Sequence, residues 1–126
     1  MSKTKVPVER RKYKRFRVHS GAFVILSPPD TCKGQITDIG MDGLAFECVG
    51  SEEPSSRPNK LEIFVTDSAF CLKELPCQII YDLTIYQSPL SSLNKKRYGV
   101  QFGKLTPHQT SQLAHFIEHH TTGEVV

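Results

Sequence analysis

The sequence predicts a mainly β domain, a six-stranded antiparallel β-barrel followed by one C-terminal α-helix. Three observations carry that prediction. Apolar and polar residues alternate in short runs along most of the chain, the period of half-buried strands. Turn-forming Gly, Pro, Ser and Asn separate these runs at hairpin lengths. Only near the C-terminus does the apolar period lengthen to that of a helix.

Residues 1–9 read as a flexible lead-in, with Pro7 discouraging regular structure. Phe16 to Ser27 is rich in β-branched and aromatic residues and reads as a strand, stopped by Ser27-Pro28-Pro29-Asp30. Gln35 to Ile39 forms a second strand and leads into a turn with two glycines, Asp38-Ile39-Gly40-Met41-Asp42-Gly43. Leu44 to Val49 alternates, with Leu44, Phe46 and Cys48 directed inward. After a polar loop over 51–59, Leu61, Ile63 and Val65 mark the fourth strand. A longer fifth strand begins near Leu72 and places Leu75, Cys77, Ile79, Tyr81 and Leu83 on one face. A Ser-rich loop over 87–96 precedes the last strand, Tyr98 to Phe102. Thr106-Pro107-His108-Gln109 supplies an N-cap, a proline at the first helical position and a capping-box glutamine. The helix then runs from about Pro107 to His120, burying Leu113, Phe116 and Ile117. The domain therefore spans 10–120, and 121–126 is read as a tail.

Charge is distributed unevenly. Residues 1–17 carry eight Lys or Arg against Glu9, a net of +7, so the whole-chain value of +3 leaves about −4 for residues 18–126. A protein that coats nucleic acid with an entire face would be basic throughout, so extended nucleic-acid binding is not expected. No apolar run approaches the ~20 residues needed to span a membrane, and no signal peptide is recognisable, which points to the cytoplasm. Cys32, Cys48, Cys71 and Cys77 match no zinc-module spacing, and free thiols are expected. His115-Phe116-Ile117-Glu118-His119 matches H-x-x-E-H, but its histidines fall on the solvent side of the helix without a cleft. No catalytic constellation, metal site or cofactor is expected; the domain reads as a binding module rather than an enzyme.

Two constellations carry the binding chemistry. Arg10, Arg11 and Arg15 lie in the basic stretch Arg10 to Arg17, which runs straight into the first strand. Arginine's planar fork grips phosphate bidentately and matches guanine O6 and N7. Arg11 and Arg15 can embrace a compact dianion whether the segment is helical or extended, and the spacing does not choose between these. Within the same run, Phe16 reads as a core anchor and Tyr13 as partly exposed. The second constellation is the turn from Asp38 to Gly43: a carboxylate that can accept from a purine edge, with Gly40 and Gly43 allowing positive φ and close approach of a ligand.

Together, Arg11-Lys12-Tyr13-Lys14-Arg15 and Asp38-Ile39-Gly40-Met41-Asp42-Gly43 resemble the two motifs of the PilZ domain family, R-x-x-x-R and [D/N]-x-S-x-x-G. Glu9-Arg10-Arg11, Tyr98 to Phe102 and the amphipathic helix are similar as well. The resemblance implies a bacterial receptor for the second messenger cyclic di-GMP, in which the arginine arm folds over the ligand and passes the signal to a partner protein. By position it implies Arg11 and Arg15 as clamps, Arg10 as a helper, Asp38 at a guanine edge and Gly43 keeping the turn open. Gly40 stands where the family has serine. One lost hydrogen bond is about 0.5–1.5 kcal/mol, so a Gly40→Ser change is expected to tighten binding modestly. Two other readings remain at this stage: a barrel of this family that has lost its ligand and works through protein contacts, and a small barrel binding single-stranded nucleic acid through its basic arm.

Overall fold

Two short strands that share one neighbour open the fold. The computed structural model describes residues 13–27, 32–50, 58–87, 89–90 and 94–125. β1 (Arg15–Val18) and β2 (Ala22–Ser27) both pair antiparallel with β3 (Cys32–Gly40), β2 along its first half and β1 near its end. The expected single strand from Phe16 to Ser27 is therefore broken at His19-Ser20-Gly21. Gly21 takes φ +96°, a region costly for residues with a side chain, and its carbonyl accepts from Thr66 N at 2.9 Å. The break lets β1 leave the barrel wall while β2 stays in it.

Six strands close the barrel in the order β2, β5 (Lys60–Val65), β6 (Cys71–Gln87), β7 (Asn94–Phe102), β4 (Gly43–Gly50), β3 and back to β2, all antiparallel. The expected mainly β barrel with one helix is the fold observed. Closure follows from β2 pairing with β5 on one side and β3 on the other, so neither of its edges is left open. Inside lie Val24, Leu26, Ile36, Ile39, Leu44, Phe46, Leu61, Ile63, Leu72, Leu75 and Val100, each at most 1% exposed. Phe46 stacks on Tyr98 at 5.2 Å between ring centres. Cys48 is partly buried against this core, and Cys71 and Cys77 are free thiols.

The helix α1 (Pro107–His120) closes one end of the barrel with Leu113 and Phe116. Its expected capping box is present: Thr106 Oγ1 accepts from Gln109 N at 3.1 Å, and Gln109 Oε1 accepts from Thr106 N at 3.0 Å. Gln109 Nε2 also donates to the carbonyls of Lys73 and Glu74, fixing the helix start to β6. Residues 121–125 form β8 (Thr121–Val125), which pairs with the outer edge of β1, so β1 lies between β3 and β8.

β6 corrects a second expectation. Its inward alternation holds from Leu75 through Ile79, but bulges between Ile79 and Tyr81 and between Thr84 and Tyr86 shift the register against β7. Tyr81 and Leu83 are consequently exposed rather than buried. The segment read as a Ser-rich loop becomes strand again at Asn94, so β6 and β7 extend beyond the barrel body as a ribbon.

Candidate functional site

The hairpin from β3 to β4 turns through only two residues, Met41 and Asp42, with Gly40 directly opposite Gly43. Neither glycine takes a positive φ; among the described glycines only Gly21 does. What the turn demands of them is close approach. A Cβ on Gly43 would lie 2.1 Å from the Val100 carbonyl oxygen, and one on Gly40 would lie 2.5 Å from that of Lys14. The glycines thus let β7 on one side and the entry to β1 on the other press against the turn.

Cross-strand register then gathers residues far apart in sequence. One row runs Arg17, Asp38, Ala45, Gly99, Tyr81 across β1, β3, β4, β7 and β6. The adjacent row runs Gln35, Glu47, Arg97, Leu83. Both occupy the outer wall, because the intervening residues Ile36, Phe46 and Tyr98 fill the core. Ala45 is 1% exposed yet stands apart from the core cluster; it is covered from outside. The wall here is a smooth floor of small residues, with the Tyr81 ring lying across Gly99.

Over that floor the charges interlock. Asp38 accepts from Arg97 Nη2 through Oδ2 at 2.9 Å and from Arg15 Nη1 through Oδ1 at 3.3 Å. Arg97 Nη1 reaches Glu47 Oε2 at 3.3 Å, and Lys95 Nζ meets the other oxygen of Glu47 at 3.2 Å. Arg97 Nε donates to the Tyr81 hydroxyl at 3.4 Å. Burial alone would depress the Arg97 pKa, but the hydrogen bond with Tyr81 and the charges of Asp38 and Glu47 outweigh it and the value is raised. Arg97 stays a cation.

Arg15 is less fully satisfied. Its side chain is 13% exposed, and its Nε faces Asp42 Oδ1 at 3.5 Å without hydrogen-bond geometry. Both of those atoms are buried with no hydrogen-bond partner. A buried donor and acceptor left in this state are poised to gain from a new partner. Beside the clasp, a groove of about 720 Å³ is lined by Arg17, Lys33 and Lys95, with Gln35, Thr37 and Glu47 between them. Three cations to one carboxylate make it a natural seat for an anion.

Of the residues read from the sequence, Arg15, Asp38, Gly40 and Gly43 converge within this one corner. Arg10 and Arg11, with the rest of the lead-in, lie outside the described residues. Arg15 sits on β1, which β3 and β8 hold from both sides, so its backbone is fixed at the barrel surface. Phe16 is half-buried beside Met41, Ala114 and Ile117 rather than a core residue. Arg97, Tyr81, Glu47 and Asp42 were not singled out. Arg97 and Asp38 are 59 residues apart, and no local spacing announces their pairing. The available signal was that Arg97 stands two residues before Gly99 and so shares its face.

His115 and His119 stack at 4.0 Å between ring centres, and His119 Nδ1 lies 2.9 Å from the His115 carbonyl oxygen. Among the described residues no group of three or more His, Cys, Asp or Glu is placed to hold a metal ion. No helix in the described residues is long and apolar enough to cross a membrane.

A family model described as PilZ domain matches residues 9–119. Three solved structures share the fold. The PilZ domain of Escherichia coli YcgR with c-di-GMP superposes with TM-score 0.64 at 14% identity, over 87% of this chain and 90% of that one. Escherichia coli YcgR in complex with c-di-GMP gives 0.62 at 16% identity, over 88% of this chain and 46% of that one. The Bacillus subtilis inhibitor of motility MotI/DgrA gives 0.58 at 14% identity, over 88% of this chain and 51% of that one. This chain thus spans about half the length of the two larger proteins. No curated protein sequence matches it significantly.

Proposed function

Because the chain belongs to the PilZ domain family, we propose that the Arg15–Asp38–Arg97 clasp is the receptor site for cyclic di-GMP, and that the loaded domain signals to a partner protein. The observation that carries this reading is the clasp itself. Two guanidinium groups share one carboxylate above a floor of small residues.

The ligand's chemistry fits an exchange of partners. Cyclic di-GMP offers two phosphodiester anions and two guanine edges that donate N–H bonds. Arg15 makes the longer of the two contacts to Asp38, so a guanine edge displaces Arg15 from Oδ1 while Arg97 keeps hold of Oδ2. The freed Arg15 fork turns to a phosphate or to guanine O6 and N7. The step needs only a rotamer change, and it gives Arg15 Nε the partner it lacks. Arg11 and Arg10 complete the grip from the arm, and the three cations of the neighbouring groove receive the second half of the dinucleotide. The E. coli structures, solved with c-di-GMP, support this reading through their fold.

Calorimetry with the dinucleotide tests it directly. Wild type binds, Arg15→Ala weakens binding by about 10–100-fold, the loss of one to two charge-assisted contacts, and Asp38→Asn weakens it as well. Absence of binding heat with wild type at high micromolar ligand would overturn the proposal and leave the domain as a protein-interaction module.

A further inference from the structure

β6 has two different edges. One edge pairs with β7 from Cys77 to Gln87, whereas the other pairs with β5 only as far as Pro76, with Cys77 N bonded to the Asn59 carbonyl. From Gln78 to Gln87 no strand among the described residues occupies that second edge. The edge is also apolar: Ile80 is 52% exposed, Leu83 55%, Ile85 46% and Tyr86 58%. Asp82 is the one charged residue in these ten, and the segment holds no Lys, Arg or Pro. Monomeric proteins defend long free edges with such residues, since bare backbone donors and acceptors recruit another strand. Bulges at Ile80 and Ile85 interrupt the ribbon but leave Tyr81 to Thr84 in regular register with β7.

We propose that this edge is the interface of an isologous homodimer, in which β6 of one copy pairs antiparallel with β6 of a second about a two-fold axis at Leu83. The argument for a second copy lies in the segment's own order, Ile80-Tyr81-Asp82-Leu83-Thr84-Ile85-Tyr86. Antiparallel pairing about a two-fold normal to the sheet keeps faces matched only when the paired positions sum to an even number, because side chains alternate. Centring on Asp82 would set that carboxylate against its own copy, and like charges directly opposite are destabilising. Centring on Leu83 sets Leu83 against Leu83, Asp82 against Thr84, Tyr81 against Ile85 and Ile80 against Tyr86. Within the regular stretch Leu83 then meets its own copy and Asp82 meets Thr84, while the bulged Ile80 and Ile85 fall opposite the aromatic Tyr86 and Tyr81. Leu83 lies on the same face as Arg97, and the Tyr81 hydroxyl oxygen accepts from Arg97 Nε. The dimer therefore presents both candidate sites on one continuous sheet face. The inference is independent of which ligand the site takes.

Sedimentation velocity on the full chain across the micromolar range tests it, with circular dichroism confirming the fold of each variant. Wild type is dimeric, and Leu83→Lys, which brings two ammonium groups together at the axis, is monomeric. Thr84 reads the register. Thr84→Lys faces Asp82 of the other copy and tightens the dimer, whereas Thr84→Asp loosens it, each by several-fold, on the order of 2–30 for two cross-strand pairs. If Leu83→Lys fails to fold, the opposite signs at Thr84 still decide. A monomeric wild type at the top of the range would overturn the proposal and assign the edge to another protein. A dimer unmoved by Leu83→Lys, or shifted the same way by both Thr84 changes, would overturn it too.

Discussion

Gly40 is where residue chemistry decides most. A serine there would bring its Cβ to 2.5 Å from the Lys14 carbonyl oxygen and 3.0 Å from Arg15 Cδ, and the first of these is backbone that cannot step aside cheaply. The hydroxyl that the sequence expectation counted as a gain would push β1 off the turn and carry Arg15 with it. Gly40→Ser is therefore expected to weaken ligand binding and lower thermal stability; tighter calorimetric binding would show that β1 yields without cost. At Gly99, an added methyl would strike the Tyr81 ring, a side chain that can swing away. Gly99→Ala should spare the fold, release Tyr81 from Arg97 and lower affinity by about the same factor as Tyr81→Phe, which removes the same hydrogen bond. Two titrations compare them. That Arg15, Asp38, Gly40 and Gly43 form a group could be read from two short local patterns, and the structure brings these four residues together. The pairing of Arg97 with Asp38 could not, because it comes from the alignment of β7 beside β4, which local spacing does not encode.

Among the elements, β1 matters most to the site, and its support comes from the far end of the chain. β8 pairs with β1, Phe16 opposite Glu124 and Arg17 opposite Gly123 before the register shifts at Val18, while Lys14 Nζ meets Glu124 at 3.7 Å. Deleting 121–126 should leave the barrel folded, since its closure does not involve β8, but strip one set of backbone bonds from β1. Amide exchange over Arg15–Val18 is expected to quicken and ligand affinity to fall, whereas an unchanged exchange rate would show that β3 alone anchors the strand. At the helix start, Thr106→Ala removes the cap and is expected to cost about 1 kcal/mol in chemical denaturation. The helix was readable to its ends because cap, proline and period all agreed in one short stretch. β8 was not: Thr121-Thr122-Gly123-Glu124-Val125 is short, contains a glycine, and exists as a strand only because β1 offers it an edge. The β6 bulges hid for the related reason that an extra residue shows only against its partner strand.

At the scale of the whole molecule, one junction ties the helix, the barrel end and the site strand together, and it is built from histidines. His120 ends α1, its ring packs on Phe116 and Phe70, and its carbonyl accepts from His19 N at 3.0 Å where β1 ends. Burial lowers the His120 pKa first, and the nearby charges of His115, His119 and His19 lower it further from the ordinary 6.5. The sign of the consequence follows from linkage. A base whose folded pKa lies below its unfolded value binds protons more readily when unfolded, so its stabilising contribution is complete above about 6.5 and is lost as pH falls from there toward the folded pKa. Thermal unfolding should therefore move to lower temperature between about pH 7.5 and about pH 5.5, ahead of the carboxylate range. His120→Gln should flatten that slope, because glutamine packs at the same place without taking up a proton. Because the same residue holds the end of β1, protection of the amides in that strand, taken relative to their intrinsic exchange rates at each pH, should fall over the same interval in wild type and not in the variant. A slope that His120→Gln leaves intact would move the titrating group to another residue and uncouple the junction from the site.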